Sequence, residues 1–136
     1  MKAYILDASA LLRYIDDEAG AERVEDILTV CVSGKADLCI SAMQWGEVAG
    51  NLRKRLGRVQ QERILSSILP SESQIIPLTG ERAVLAAGIK MDRSLSFADA
   101  IALELAMSFK DHVLVTADYG FKDVDDLARI EYLPAK

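Results

Sequence analysis

The chain has 136 residues, 51% hydrophobic and 27% charged, which suits one folded domain over 1–136 and excludes a disordered chain. No apolar run approaches the roughly 18 residues of a membrane helix. The opening Met1-Lys2-Ala3-Tyr4-Ile5-Leu6-Asp7 meets an acid too early for a signal peptide, so a cytoplasmic protein without a membrane partner is expected. A net charge of −5 taken alone argues against a nucleic-acid binder, because phosphate contacts need Lys and Arg.

The elements alternate along the chain. A strand is expected over 3–7, then a short helix over 9–15. Val24, Ile27, Leu28 and Cys31 at helical spacing give a helix over 21–32, ended by Gly34 and Lys35. A strand over 37–41 leads into a long helix over 42–56, which Gly57 breaks, and a further helix runs over 58–69 to Pro70. Pro77 makes the strand over 73–78 an edge or a strand end. Helices over 80–91 and 96–109, a strand over 112–116 and a last strand over 129–133 complete the pattern. This order predicts an α/β fold, a central and mostly parallel sheet with helices on both faces.

Cys31 and Cys39 each lie in an apolar stretch and read as small buried hydrophobes. With a single histidine, a Cys/His zinc site is nearly excluded, as is a ribonuclease with paired histidines; His112 opens a strand and reads as structural. The acidic average hides a basic strip, because Arg53, Lys54, Arg55, Arg58 and Arg63 fall within eleven residues. That strip reads either as a solvated helix face or as a guide for a polyanion.

Four acids stand at breaks in the hydrophobic pattern. Asp7 ends the first strand, Glu47 follows the second, Asp99 lies in the first turn of the helix over 96–109, and Asp118 follows the strand over 112–116. Residues just past the carboxyl ends of parallel strands converge on one crevice. Four carboxylates there repel one another unless a hard divalent cation holds them, which points to magnesium or manganese. Each acid also has a local role open to it. Asp7 can cap a helix, Asp118 can form a turn, Asp99 can complete a capping box with Ser96, and Glu47 can be a surface residue. Asp99 shares its helix face with Ala102, Leu103 and Ala106, a costly place for an unpartnered carboxylate. Glu104, with Ser108, marks the polar side and reads as a solvated surface acid.

The same residues carry a resemblance. Ile5-Leu6-Asp7-Ala8-Ser9-Ala10-Leu11-Leu12 resembles the first motif of the PIN-domain nucleases, and Ser41-Ala42-Met43-Gln44-Trp45-Gly46-Glu47-Val48 the second. Leu95-Ser96-Phe97-Ala98-Asp99-Ala100 resembles the third and Thr116-Ala117-Asp118-Tyr119-Gly120-Phe121 the fourth. Four motifs in order across nearly the whole chain are specific, and the size is most like that of the VapC toxins of toxin–antitoxin pairs.

The resemblance implies a PIN-like domain and a Mg²⁺- or Mn²⁺-dependent endoribonuclease using one or two ions. The matched acids Asp7, Glu47, Asp99 and Asp118 would form the metal centre, with Thr116 in support, orienting Asp118 or a water. It also implies a homodimer and a small antitoxin that occupies the cleft. Metal-activated water would be the nucleophile, since such water is acidified toward neutral pH. Arg53, Lys54, Arg55 and Arg58 are the candidate substrate contacts. Where many relatives carry a further acid, this chain has Gly120. An asparagine common before the second-motif glutamate is also missing, with Gln44 nearby. Asp123 reads as part of a solvated turn, and Ser9 as a helix cap within reach of the site. Two rival readings stay open, a non-catalytic RNA- or protein-binding module and an aspartyl-nucleophile phosphatase. The phosphatase wants a second Asp where Ser9 stands.

Overall fold

The computed structural model describes residues 1–69 and 74–136. The elements are β1 (Ala3–Leu6), α1 (Ala8–Ile15), α2 (Ala21–Val32), β2 (Asp37–Ser41), α3 (Ala42–Leu56), α4 (Arg58–Ile68), β3 (Ile75–Ile76), α5 (Gly80–Arg93), α6 (Phe97–Met107), β4 (His112–Thr116) and β5 (Ile130–Tyr132). A 3₁₀ turn over Tyr119–Val124 joins β4 to β5. The sheet order is β3-β2-β1-β4-β5 and every pairing is parallel. Ile5 lies opposite Cys39 on one side and Leu114 on the other, so β1 and β4 end level with each other. Pro70 and Ser73, expected to stop a helix and start a strand, lie outside the described residues. β3 is an edge strand that ends before Pro77.

Strand side chains alternate between two apolar layers. Ile5, Cys39 and Leu114 pack on α5 and α6 with Phe121 and Val124. Leu6, Ile40, Val113 and Val115 pack on α1 to α4 with Leu11, Val24, Ile27, Val48 and Leu52. Both faces of the sheet are thereby covered, as a parallel sheet requires. Gly20 opens α2 with φ +92°, and a Cβ there would stand 2.9 Å from the Leu133 Cβ, so backbone conformation and packing both demand glycine. The buried Arg13 donates to the carbonyls of Ala19 and Pro134 at 2.7 Å each, tying the α1–α2 connection to the end of the chain.

The apolar stripes of α3 and α4 are largely absorbed by this second layer. Val48, Leu52, Ile68 and Leu69 are buried and Trp45, Ile64 and Leu65 pack against them, leaving Leu56 and Val59 exposed. The larger uncovered apolar face lies on α5, where Val84, Leu85 and Met91 are exposed. Among the described residues no helix is long and apolar enough to cross a membrane.

Candidate metal and nuclease site

Asp7 stands where β1 passes into α1. Its carboxylate accepts from Ala10 N–H at 2.9 Å and so caps the helix. It also accepts from the hydroxyls of Ser9 and Thr116, each at 2.6 Å and each on a different oxygen. Thr116, fully buried at the end of β4, accepts in turn from the Asp118 N–H at 2.9 Å. Ser9 accepts from the Ala117 N–H at 2.9 Å. Two hydroxyls thus lock the ends of β1 and β4 together around one carboxylate. Ser9 is part of this lock, and the helix-capping role expected of it belongs to Asp7. Asp7 is only 3% exposed, and burial raises its pKa despite the three hydrogen bonds.

The other three acids surround this buried one. Asp118 caps the 3₁₀ turn by accepting from Gly120 N–H at 2.9 Å, and its side of the site is exposed. Asp99 heads α6 beside it. A Cβ on Gly120 would stand 3.1 Å from Asp118 Oδ1 and 3.7 Å from Asp99 Oδ2, so the missing side chain leaves both carboxylates room at one place. Burial, then the charge of Asp118, push Asp99 up to about 7. Glu47 is raised as well, by desolvation and by Asp7. The Ser96 hydroxyl accepts from Asp99 N–H at 3.1 Å, so the expected helix cap is present, while the Asp99 carboxylate interacts with both Ser96 and Asp118. Among the described residues none of these four acids has an ion-pair partner. Nor, among the described residues, are any three His, Cys, Asp or Glu side chains close enough as they stand to hold an ion.

Gln44, in the sequence only a neighbour of the second motif, is built into the site. It is 3% exposed. Its Oε1 accepts from the Ala8 N–H at 2.8 Å, and its Nε2 donates to the Ala98 carbonyl at 2.9 Å. One amide therefore bridges the residue after Asp7 and the residue before Asp99. The signal was present, since Gln44, Val48 and Leu52 recur at helical spacing and all three are buried. Gln44→Leu strands the buried Ala8 N–H and should cost about 1–3 kcal/mol of stability in urea denaturation. Unchanged stability would show that the bridge holds nothing in place.

The basic strip divides. Arg55 is committed to Asp16 at 3.0 Å and Asn51 at 2.7 Å, and Arg58 to Glu62 at 3.3 Å. Arg53, Lys54 and Arg63 are exposed and form no ion pair among the described residues. Arg55 lines an open cleft of about 480 Å³ that reaches Ser9 and Ala117 at the acid cluster, with Arg13 and Lys136 on its walls. Asp123 is exposed on the 3₁₀ turn and acts on Tyr132 rather than on Asp7, Asp99 or Glu47. Glu104 is a correction. It is buried, and Arg82 Nη1 donates to both of its oxygens at 3.0 Å. Residues 100–106 of α6 are all buried, so that helix has no solvated side in its middle.

Among solved structures, the chain resembles PAE2754 from Pyrobaculum aerophilum, with 27% identity, 96% of this chain and 92% of that one covered, and a TM-score of 0.64. It also shares its fold with VapBC2 from Rickettsia felis, crystallised on a DNA fragment of its promoter, at 14% identity, 97% and 99% coverage and a TM-score of 0.75. FitAcB from Neisseria gonorrhoeae matches at 20% identity, 94% and 96% coverage and a TM-score of 0.74. No curated protein matches the chain. The model of the PIN-domain family matches residues 4–127, which include all four acids, and the chain belongs to that family.

Proposed function

We propose that this chain is a VapC-like toxin, a Mg²⁺- or Mn²⁺-dependent endoribonuclease of the cytoplasm restrained by a cognate antitoxin. The observation that carries the reading is the acid cluster. Asp7, Glu47, Asp99 and Asp118 lie together at the carboxyl edge of the sheet, where the charge of Asp118 raises Asp7 and Asp99 and that of Asp7 raises Glu47, and none of the four has an ion-pair partner among the described residues. An all-oxygen donor set of this charge fits one or two hard divalent cations. Asp7, Asp99 and Asp118 would hold them, with Glu47 at the exposed rim. When bound, such a cation lowers the pKa of a water ligand and offsets charge growing on a phosphodiester. The chain's own part is orientation. Ser9 and Thr116 fix the two Asp7 oxygens, and Gln44 fixes the start of α6 relative to the start of α1.

The same geometry argues against an aspartyl nucleophile, because Asp7 is buried and both its oxygens already accept hydrogen bonds. A binding module without catalysis would have no use for four repelling carboxylates. Incubating the protein with a pool of structured RNAs in Mg²⁺, Mn²⁺ or EDTA, and sequencing the new ends, tests the reading. New ends in either metal and none in EDTA are expected. Intact RNA in all three sinks it.

Arg53, Lys54, Arg55 and Arg58 guide the RNA on this reading, from the helix that carries Glu47. Alanine at Arg53, Lys54 and Arg58 should weaken binding and lower the salt slope by roughly one for each phosphate no longer neutralised. An unchanged slope makes the strip a solvated face only.

A toxin–antitoxin complex from Klebsiella pneumoniae and a VapBC toxin–antitoxin member from Mycobacterium tuberculosis, both of this fold, support a protein inhibitor. Its simplest device is an arginine placed among the acids, where paired N–H donors fit a carboxylate. Asp7→Asn combined with Asp118→Asn should then weaken the complex in titration calorimetry, and indifference to both would exclude a cleft-blocking inhibitor. We assign the homodimer to the exposed Val84, Leu85 and Met91 face of α5, because twofold pairing is the commonest cover for such a face. A monomer at high micromolar concentration in light scattering removes the dimer.

A further inference from the structure

The acid cluster has an aromatic flank. Tyr119 follows Asp118 directly and opens the 3₁₀ turn that Asp118 caps. Its hydroxyl donates to the Leu133 carbonyl at 2.7 Å. Its ring stacks on Tyr132 of β5, with centroids 5.4 Å apart and planes 23° apart. Tyr132 lies opposite Thr116 in the sheet, so the stack sits at the same carboxyl edge as the acids. Despite both anchors, Tyr119 is 45% exposed. With one face on Tyr132 and the hydroxyl tethered, what remains open is the other face and an edge of a ring that is already immobilised. Exposed tyrosines ordinarily keep rotamer freedom, and holding one rigid lowers the entropy lost on binding a flat partner.

The charge of this flank narrows the partner. Asp118, Asp123 and Asp125 all act on the neighbouring Tyr132. Those three carboxylates repel a phosphate rather than hold one. An uncharged π face remains, and every nucleobase can stack on one. We propose that Tyr119 is a stacking platform for one unpaired nucleobase of single-stranded RNA, next to the phosphate that lies at the acid cluster. Tyr132 is its buttress. The proposal rests on the nuclease reading for its substrate and adds a requirement for an unpaired base beside the cut.

The test measures binding of a short single-stranded RNA in EDTA, for wild type, Tyr119→Phe and Tyr119→Leu, against the same oligonucleotide made abasic at successive positions. Tyr119→Leu should weaken binding roughly 5- to 150-fold, the usual range for one stacked base, with the salt slope unchanged. Tyr119→Phe keeps the ring and should bind within a few-fold of wild type. Removing the stacked base should abolish the difference between wild type and Tyr119→Leu. Equal binding by wild type and Tyr119→Leu overturns the platform, as does an equal loss on every abasic substrate or an equal loss in Tyr119→Phe. Cleavage of the same oligonucleotide in Mg²⁺ or Mn²⁺ is scored separately. Cleavage with no base-dependent effect of Tyr119→Leu refutes the platform alone, and base-dependent binding without cleavage refutes the nuclease reading alone.

Discussion

Asp99→Asn should raise the melting temperature of the metal-free protein at pH 8 and cut RNA cleavage by more than about 100-fold. The cleavage figure is a lower bound, because losing groups that merely orient metal ligands already costs about 10–100-fold. The stability effect follows from a proton. In the folded chain Asp99 is pushed up to about 7 by burial and by Asp118, against an ordinary value of 3.8. The folded state therefore holds a proton through a window in which the unfolded state has released it. Its stabilising contribution is full below about pH 4 and is lost as pH rises toward about 7. Asp7 and Glu47 are raised too and act in the same direction. Melting temperature in EDTA should thus fall from pH 5 to pH 8 and recover on adding Mn²⁺. Asparagine removes one charge while keeping the backbone N–H that Ser96 accepts, so the helix cap survives. A lower metal-free melting temperature for Asp99→Asn at pH 8 would contradict the repulsion.

Arg82→Met should be the costliest change away from the acids, at about 3 kcal/mol. It leaves the Glu104 carboxylate buried without its cation, and breaking buried pairs in this way costs about 3–5 kcal/mol. The lower end applies because the Arg82 side chain keeps 28% of its exposure. Adding Glu104→Leu to Arg82→Met should restore most of the loss, since an apolar pair of similar volume needs no desolvation. Urea denaturation of the two single variants and the double variant reads this directly. A double variant as unstable as Arg82→Met would mean that packing, and not the stranded charge, sets the cost.

The position of Glu104 also shows where sequence reasoning ran out. A helical wheel gives directions relative to an assumed solvent side, and α6 has none in its middle because sheet and α5 enclose it. Its partner Arg82 lies on another helix, a relation that periodicity does not carry. The role of Gln44 is hidden for a similar reason. A buried amide looks like any polar residue until the two groups it bonds, the Ala8 N–H and the Ala98 carbonyl, are brought together by the fold. The order of strands and helices was legible because the parallel strands are short apolar runs closed by Gly, Pro or an acid. The four acids were legible because each follows such a run or opens a helix. Their distinct environments were not, because Asp7 is buried through contacts with Thr116 and Ser9 while Asp118 faces outward.

The hydrogen bond from Thr116 to Asp7 joins residues 109 positions apart. No earlier stretch of the chain contains both halves of the centre, and β1 cannot gain its β4 neighbour until the sequence through Thr116 has been made. Proteins are synthesised at about 5–20 residues per second, so a growing chain spends several seconds with Asp7 and Glu47 present and the rest of the centre absent. On the toxin reading this makes the nascent polypeptide harmless to its own ribosome and message. Activity would switch on late and all at once, when β1 gains its β4 neighbour.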